Sequence, residues 1–272
     1  NVVSQLKQMC NSQKTANFSS WLGIDTDRNA QQGVDGGLSL DDSEFLHVPP
    51  EQARNIIEHP EQHQELEKRY DLQEAAVRAF CEKMVAAGLA QGSQVRTYGN
   101  MALQANLARF RETVRRKLAE LTSVWEDLKV QMQHKQQLLI NQETKIYVVC
   151  SMAGGTGSSM LLETLAMLRE MARDYRCQIA VFLVTSATYS GVLQGQSDQV
   201  MRVEANCYAM AMELLAASRG QLVDGNDNLQ LGPDDRQAIE LVGNLWDEIY
   251  VLQSADASGR HYENPQAVSD RC

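Results

Sequence analysis

Two kinds of apolar patterning alternate along the chain. Short, nearly unbroken apolar runs predict strands at 20–25, 45–48, 145–150, 178–185 and 248–252. Longer stretches with apolar residues every three or four positions predict helices over 2–10, 51–58, 72–87, 158–174 and 201–218. Pro49-Pro50 stops the second strand and opens the short helix after it. Between these elements lie polar or glycine-bearing loops: one through Gly33, Gly36 and Gly37, a glycine-rich turn over 88–99, and loops over 186–200 and 219–236. The run 178–185, QIAVFLVT, has the continuous apolar character of a central parallel strand. Strand–helix alternation predicts an α/β fold, a mostly parallel sheet with helices on both faces.

One predicted helix is unusually long and amphipathic. From about Met101 to Leu139 the apolar positions are Leu103, Leu107, Phe110, Val114, Leu118, Leu121, Trp125, Leu128 and Met132. That spacing resembles a coiled coil. At 1.5 Å per residue the stripe from Leu103 to Met132 runs for about 45 Å, longer than ordinary strands can cover. Either one face packs on the sheet and the distal half overhangs, or the helix is an arm that binds another subunit. On the second account Leu121, Trp125, Leu128 and Met132 are covered by something other than the sheet.

Composition narrows the class. The 272 residues suit one large α/β domain, and 43% of them are apolar, enough for a core. No apolar run reaches the roughly 18 residues of a membrane span, and no signal segment is evident. Six cysteines show neither C-x-x-C spacing nor a secreted framework, which fits a reducing cytoplasm. The net charge of −10 argues against nucleic acid or anionic membrane as a main partner. His59 and His63 have i, i+4 spacing, but no third ligand is in view, so no metal site is assigned to them.

The chemistry concentrates at Ala153-Gly154-Gly155-Thr156-Gly157-Ser158-Ser159, between the strand 145–150 and a helix striped by Leu161, Leu165, Leu168 and Ala172. Glycines allow close backbone approach, successive N–H groups form a concave nest, and the helix N-terminus favours an anion. No Gly-Lys-Ser/Thr follows, so this is not a Walker A loop, and the glycine spacing is not that of a dinucleotide fingerprint. Without a lysine, the charge on a phosphate falls to backbone dipoles, hydroxyls and a metal. The alternative is a turn that only lets strand and helix pack closely. Asp25 and Asp27, at a predicted strand end, could steer Mg²⁺ through water, or Asp25 could cap the turn.

Ala153 to Met160 resembles the tubulin signature G-G-G-T-G-[ST]-G, with alanine for the first glycine and Ser159 for the last. The form Ser-x-Ala-Gly-Gly-Thr-Gly-Ser is nearer to divergent bacterial tubulin-like proteins than to eukaryotic tubulins or FtsZ. The likeness continues in collinear order at Phe18–Asp27, at Gly92–Asn100 and at Arg202–Ala209. It implies a GTP/GDP site with Mg²⁺. Ala153, Gly154, Gly155, Thr156, Gly157 and Ser158 hold phosphate in that reading, with Asp25 and Asp27 nearby. Gln94, Arg96 and Gly99 lie over the terminal phosphate, Glu204 meets the ribose and Asn206 the base, and Asn1 matches the asparagine that ends the family's first glycine loop.

The family assembles head to tail and takes its water-activating acid from the next subunit. The expectation is therefore a cytoplasmic GTP-binding, self-assembling protein that hydrolyses GTP only when assembled. A catalytically weak or pseudo-GTPase scaffold within a larger bacterial assembly, docked through the helix 101–139, is the second expectation. The resemblance also implies that residues 1–272 form a nucleotide-binding domain lacking its first glycine loop and a C-terminal second domain.

Overall fold

The computed structural model describes residues 2–12, 19–32, 39–86, 95–133, 144–174, 177–189, 193, 196–222, 228–230, 238–240 and 244–253. Helix α1 (Val2–Ser12) precedes strands β1 (Gly23–Asp25) and β2 (Phe45–His47). Helices α2 (Pro50–Glu58), α3 (Gln64–Arg69), α4 (Ala75–Ala86), α5 (Arg96–Ala105) and α6 (Leu107–Gln133) follow. Strand β3 (Thr144–Ser151), α7 (Gly155–Met171), β4 (Cys177–Val184) and α8 (Ser197–Ala217) come next. Three strands complete the order: β5 (Asn228–Gln230), β6 (Ala238–Glu240) and β7 (Glu248–Leu252).

The α/β expectation holds. Strands β3, β4 and β7 form a parallel sheet in that spatial order, and β1 and β2 form a second parallel pair. Among the described strands only β5 and β6 run antiparallel. In the sheet's register Ile146, Val148 and Cys150 lie beside Ile179, Val181 and Leu183. The last three are almost wholly buried, in one apolar cluster with Leu165, Ala166 and Met167 of α7. The opposite face carries a ladder of Tyr147, Phe182 and Tyr250, whose last two rings stack at 4.8 Å.

Two expectations about elements need correction. The predicted turn over 88–99 is helical from Arg96 onward, because α5 packs closely on α7 and that contact outweighs the poor helix propensity of Gly99. The long helix from Met101 is two helices. Asn106 separates them: its backbone N–H donates to the Leu103 carbonyl at 2.9 Å and its side-chain amide to the Ala102 carbonyl at 2.8 Å. A side chain that takes a backbone acceptor in this way competes with helix continuation. The next helix then starts from the Asn106 carbonyl, which accepts from Phe110 at 2.9 Å.

Along α6, Leu107, Phe110, Val114 and Leu118 are buried in the common core, and Leu121 is half-buried. The side chains of Trp125, Leu128 and Met132 lie outside the described residues. The loop expected over 219–236 contains the short strand β5, and α8 begins at Ser197, inside the expected loop 186–200.

Candidate functional site

The glycine motif starts a helix rather than preceding one. Helix α7 begins at Gly155, so Gly155, Thr156 and Gly157 form its first turn and Gly154 is its N-cap, in extended conformation (φ −80°, ψ 159°). No side chain caps this end. The first N–H groups of a helix have no partner within it, so α7 presents uncapped donors and the positive end of its dipole. Space is open here: a Cβ added to Gly154 meets nothing within 4 Å.

Behind the loop, crowding is severe. A Cβ on Gly157 would sit 3.0 Å from both Cys150 Sγ and the Ser151 carbonyl. On Gly99 of α5 it would meet Ser159 Oγ, the Gly155 carbonyl at 2.9 Å and Thr156 Cα at 3.1 Å. Gly99 is therefore a close-packing residue that lets α5 cross the first turn of α7. Arg96, from the same turn of α5, donates to the Ser158 carbonyl at 2.8 Å and pairs with Glu213 at 2.5 Å. Both residues thus brace the loop from its inner side. Gln94 and Asn1 lie outside the described residues.

A further polar network supports the same turn. Asn100 donates to the Ser159 carbonyl and to Glu163, each at 2.7 Å, and accepts from the Tyr70 hydroxyl. Arg69 pairs with Glu163 at 2.6 Å, where the Glu163 side chain is 5% exposed. Asn206, also buried, donates to the Ala153 carbonyl at 3.0 Å, while Glu204, two residues earlier and on the opposite side of the helix, is exposed. Met152 N–H donates to the Val184 carbonyl at 2.9 Å, and Ala153 N–H to Ser151 Oγ at 3.2 Å. The Tyr189 hydroxyl donates to the same Ser151 oxygen at 3.0 Å. Sequence reasoning missed Arg69, Tyr70, Glu163, Tyr189 and Glu213. Of these only Glu163 leaves a signal, as a carboxylate set between Met160 and Met167 on one side of α7, where burial requires a partner.

The end of β1 reaches the loop directly. Thr26 Oγ1 lies 2.8 Å from Thr156 Oγ1 and is buried. Asp25 accepts from the Asp27 N–H at 3.0 Å and, over a long 3.5 Å, from the Thr26 hydroxyl. Burial raises the Asp25 pKa above its ordinary 3.8 despite these bonds. Asp27 is exposed and accepts from Asn29 N–H at 2.9 Å, capping the 3₁₀ turn Arg28–Gln31. So Asp25, Thr26, Thr156 and the uncapped end of α7 converge. Burial also raises Glu213, its pair with Arg96 notwithstanding, and lifts the Cys150 thiol to about 12, which leaves that thiol unreactive.

The comparisons with known proteins follow this geometry. The family described as tubulin-like matches residues 1–267, nearly the whole chain. The chain belongs to the tubulin-like family. No curated protein and no solved structure matches it. Within this tubulin-like chain the family signature is the uncapped first turn of α7, and β1 supplies Thr26 against it. Among the described residues no group of three His, Cys, Asp or Glu side chains is placed to hold a metal ion. A Mg²⁺ ion needs fewer, since it keeps several waters and takes one or two carboxylates plus phosphate oxygens. Asp25, part-buried, and Asp27, exposed, stand on either side of Thr26 at this end of β1. Among the described residues no helix is long and apolar enough to cross a membrane.

Proposed function

We propose that this chain binds a guanine nucleotide with its phosphates at the N-terminus of α7, and that it self-assembles head to tail. The observation that carries the reading is the two-sidedness of the glycine loop. The side facing Gly154 is open and lined by uncapped N–H groups, while behind it Arg96 and Asn100 hold carbonyls of the first turns in place. Such preorganised donors suit an anion and need no rearrangement to receive one. Both departures from the family signature support the same reading, because they face inward. Ala153 is 3% exposed, and Ser159 turns its hydroxyl back to the Thr156 carbonyl at 3.1 Å. Neither fills the open side.

In this reading Thr156 flanks the phosphates, while Ser158, 1% exposed, donates its hydroxyl to the Gly154 carbonyl and steadies the loop from within. Asp25 and Asp27 would hold a Mg²⁺ ion, which would neutralise charge on the phosphate oxygens. Guanine, Glu204 at the ribose and Asn206 at the base rest on the family resemblance alone. Asn206 already uses one amide proton on the loop itself. Hydrolysis needs an in-line water and a group to orient it, which the head-to-tail neighbour supplies. Turnover per molecule therefore rises with protein concentration; flat rates across the assembly range argue instead for a scaffold without a shared active site.

Gly154→Asp tests the cradle cleanly. Aspartate is a good N-cap, worth a few tenths of a kcal/mol over glycine, and it has room here. The variant should keep or slightly raise its melting temperature while losing at least about tenfold in affinity for a fluorescent GTP analogue, through like-charge repulsion. Unchanged affinity in this folded variant removes the phosphate reading.

A further inference from the structure

Helix α8 is apolar on two opposite sides. Its buried residues Val203, Asn206, Met210, Leu214 and Ala217 form the side that packs with α7. At about 100° per residue, Met201, Tyr208, Met212 and Leu215 emerge on the other side. They are 61%, 70%, 38% and 48% exposed. Isolated exposed hydrophobes are ordinary, but these share one line, with exposed Ala205 between the first two. The steps 201, 205, 208, 212, 215 are the threes and fours of a helix–helix seam.

The order of residues along this seam identifies what fits it. About Tyr208 the pattern is nearly self-complementary when reversed. Met201 lies seven residues before it and Leu215 seven after; Ala205 lies three before and Met212 four after, so these two interleave across the pair. Asp198 lies ten residues before Tyr208 and Arg219 eleven after, and both are exposed. A second α8 laid antiparallel across a two-fold axis at Tyr208 sets Met201 on the partner's Leu215. It also brings Asp198 beside the partner's Arg219 at both ends, and opposes the two helix dipoles. A parallel pair would set Asp198 on Asp198 and Arg219 on Arg219.

We propose that the outer face of α8 is a two-fold interface between two copies of this chain, packed antiparallel and centred on Tyr208. The contact is isologous and closes at two copies, unlike a head-to-tail contact, which continues. It does not depend on nucleotide. At about 1.5 Å per residue the 21 residues of α8 span roughly 31 Å. A seam of that length and about 10 Å wide covers roughly 300 Å² per partner, below the ~800 Å² of a standard interface. The dimer is accordingly weak and responds strongly to single substitutions.

Sedimentation equilibrium of the intact protein, nucleotide-free and in chelator, tests this. The expected result is a monomer–dimer equilibrium in the micromolar range. Leu215→Glu and Tyr208→Ser, both at exposed positions, should each weaken it about tenfold or more while circular dichroism and GTP-analogue affinity stay unchanged. Asp198→Arg and Arg219→Asp should each weaken it, and the two together should recover most of the loss. A wild-type protein that is monomeric throughout overturns the proposal. So does a dimer indifferent to Leu215→Glu, or a charge swap without recovery, which excludes the antiparallel register. Lost nucleotide binding with an intact dimer would count against the nucleotide reading alone.

Discussion

Gly154 and Gly157 stand three residues apart in one motif and serve opposite needs. A side chain on Gly154 would meet nothing, whereas one on Gly157 would strike β3, and one on Gly99 of α5 would strike the loop from below. The open side keeps its backbone donors unspent. The closed side spends nearly every polar group it has on carbonyls of the first turns: Arg96 on Ser158, Asn100 on Ser159, Asn206 on Ala153. A glycine-rich loop is thus not uniformly a ligand feature. Part of it leaves open space at the helix end, and part lets strand and helices of the chain itself approach closely enough to fix the loop.

Substitutions on each side can break or sharpen that contrast. The largest effect is expected from Arg69→Ala, which strands the buried Glu163 carboxylate without its cation. Loss of one partner of a buried pair costs about 3–5 kcal/mol, and the low end applies because Arg69 is 21% exposed. Urea unfolding measures it. Adding Glu163→Gln should recover part of the loss, and a loss below about 0.5 kcal/mol would show that the network does not hold the turn.

Gly99→Ala comes next, at about 1–3 kcal/mol for overpacking. Ser159→Ala in the same chain relieves only the hydroxyl contact and leaves the Gly155 carbonyl in the way, so most of the cost should remain. Full rescue by Ser159→Ala would mean that the backbones of α5 and α7 are not as close as described.

The smallest effect is expected on the open side, at Asp25. Its pKa is raised by burial, so the folded protein holds that proton more tightly than the unfolded chain. This contributes stability below the ordinary value of 3.8, and the contribution is lost as pH rises through the raised value. Asp25→Asn should therefore raise the melting temperature at neutral pH and not in acid, while weakening Mg²⁺-dependent nucleotide binding. A melting temperature lowered at neutral pH would show that the carboxylate is structural rather than held in readiness for a cation.

What could be read from the sequence depended on whether a signal was local. The apolar run at 248–252 matches β7 residue for residue, and 145–150 and 178–185 match β3 and β4 within one residue, because breakers bound each run. Helix α7 starts three residues earlier than its apolar stripe suggests, since Gly155 and Gly157 lower helix propensity, yet Gly157 packs where a side chain cannot. Gly99 reads as a turn residue for the same reason and is helical for the same reason. The break at Asn106 was invisible: Leu103 and Leu107 keep a four-residue step straight across it. Distant partners were out of reach as well, and nothing near Glu163 in sequence points to Arg69, 94 residues away. At the site, Asp25-Thr26-Asp27 drew notice for its carboxylates, while the closest link to the loop is the threonine between them.

That link has a consequence in proton counting. Two hydroxyls 2.8 Å apart, Thr26 and Thr156, share one hydrogen bond, and either can give the proton. While Thr26 leans toward the Asp25 carboxylate, Thr156 must be the giver, and the three groups form a one-way chain ending on Asp25. Thr156 has a single proton and cannot direct it to Thr26 and to an incoming anion at once. Once an anion claims it, Thr26 turns its own proton to Thr156 and lets go of Asp25. The carboxylate then has a lone pair to spare at the moment a negatively charged guest arrives, which is when a cation accompanying that guest would need one.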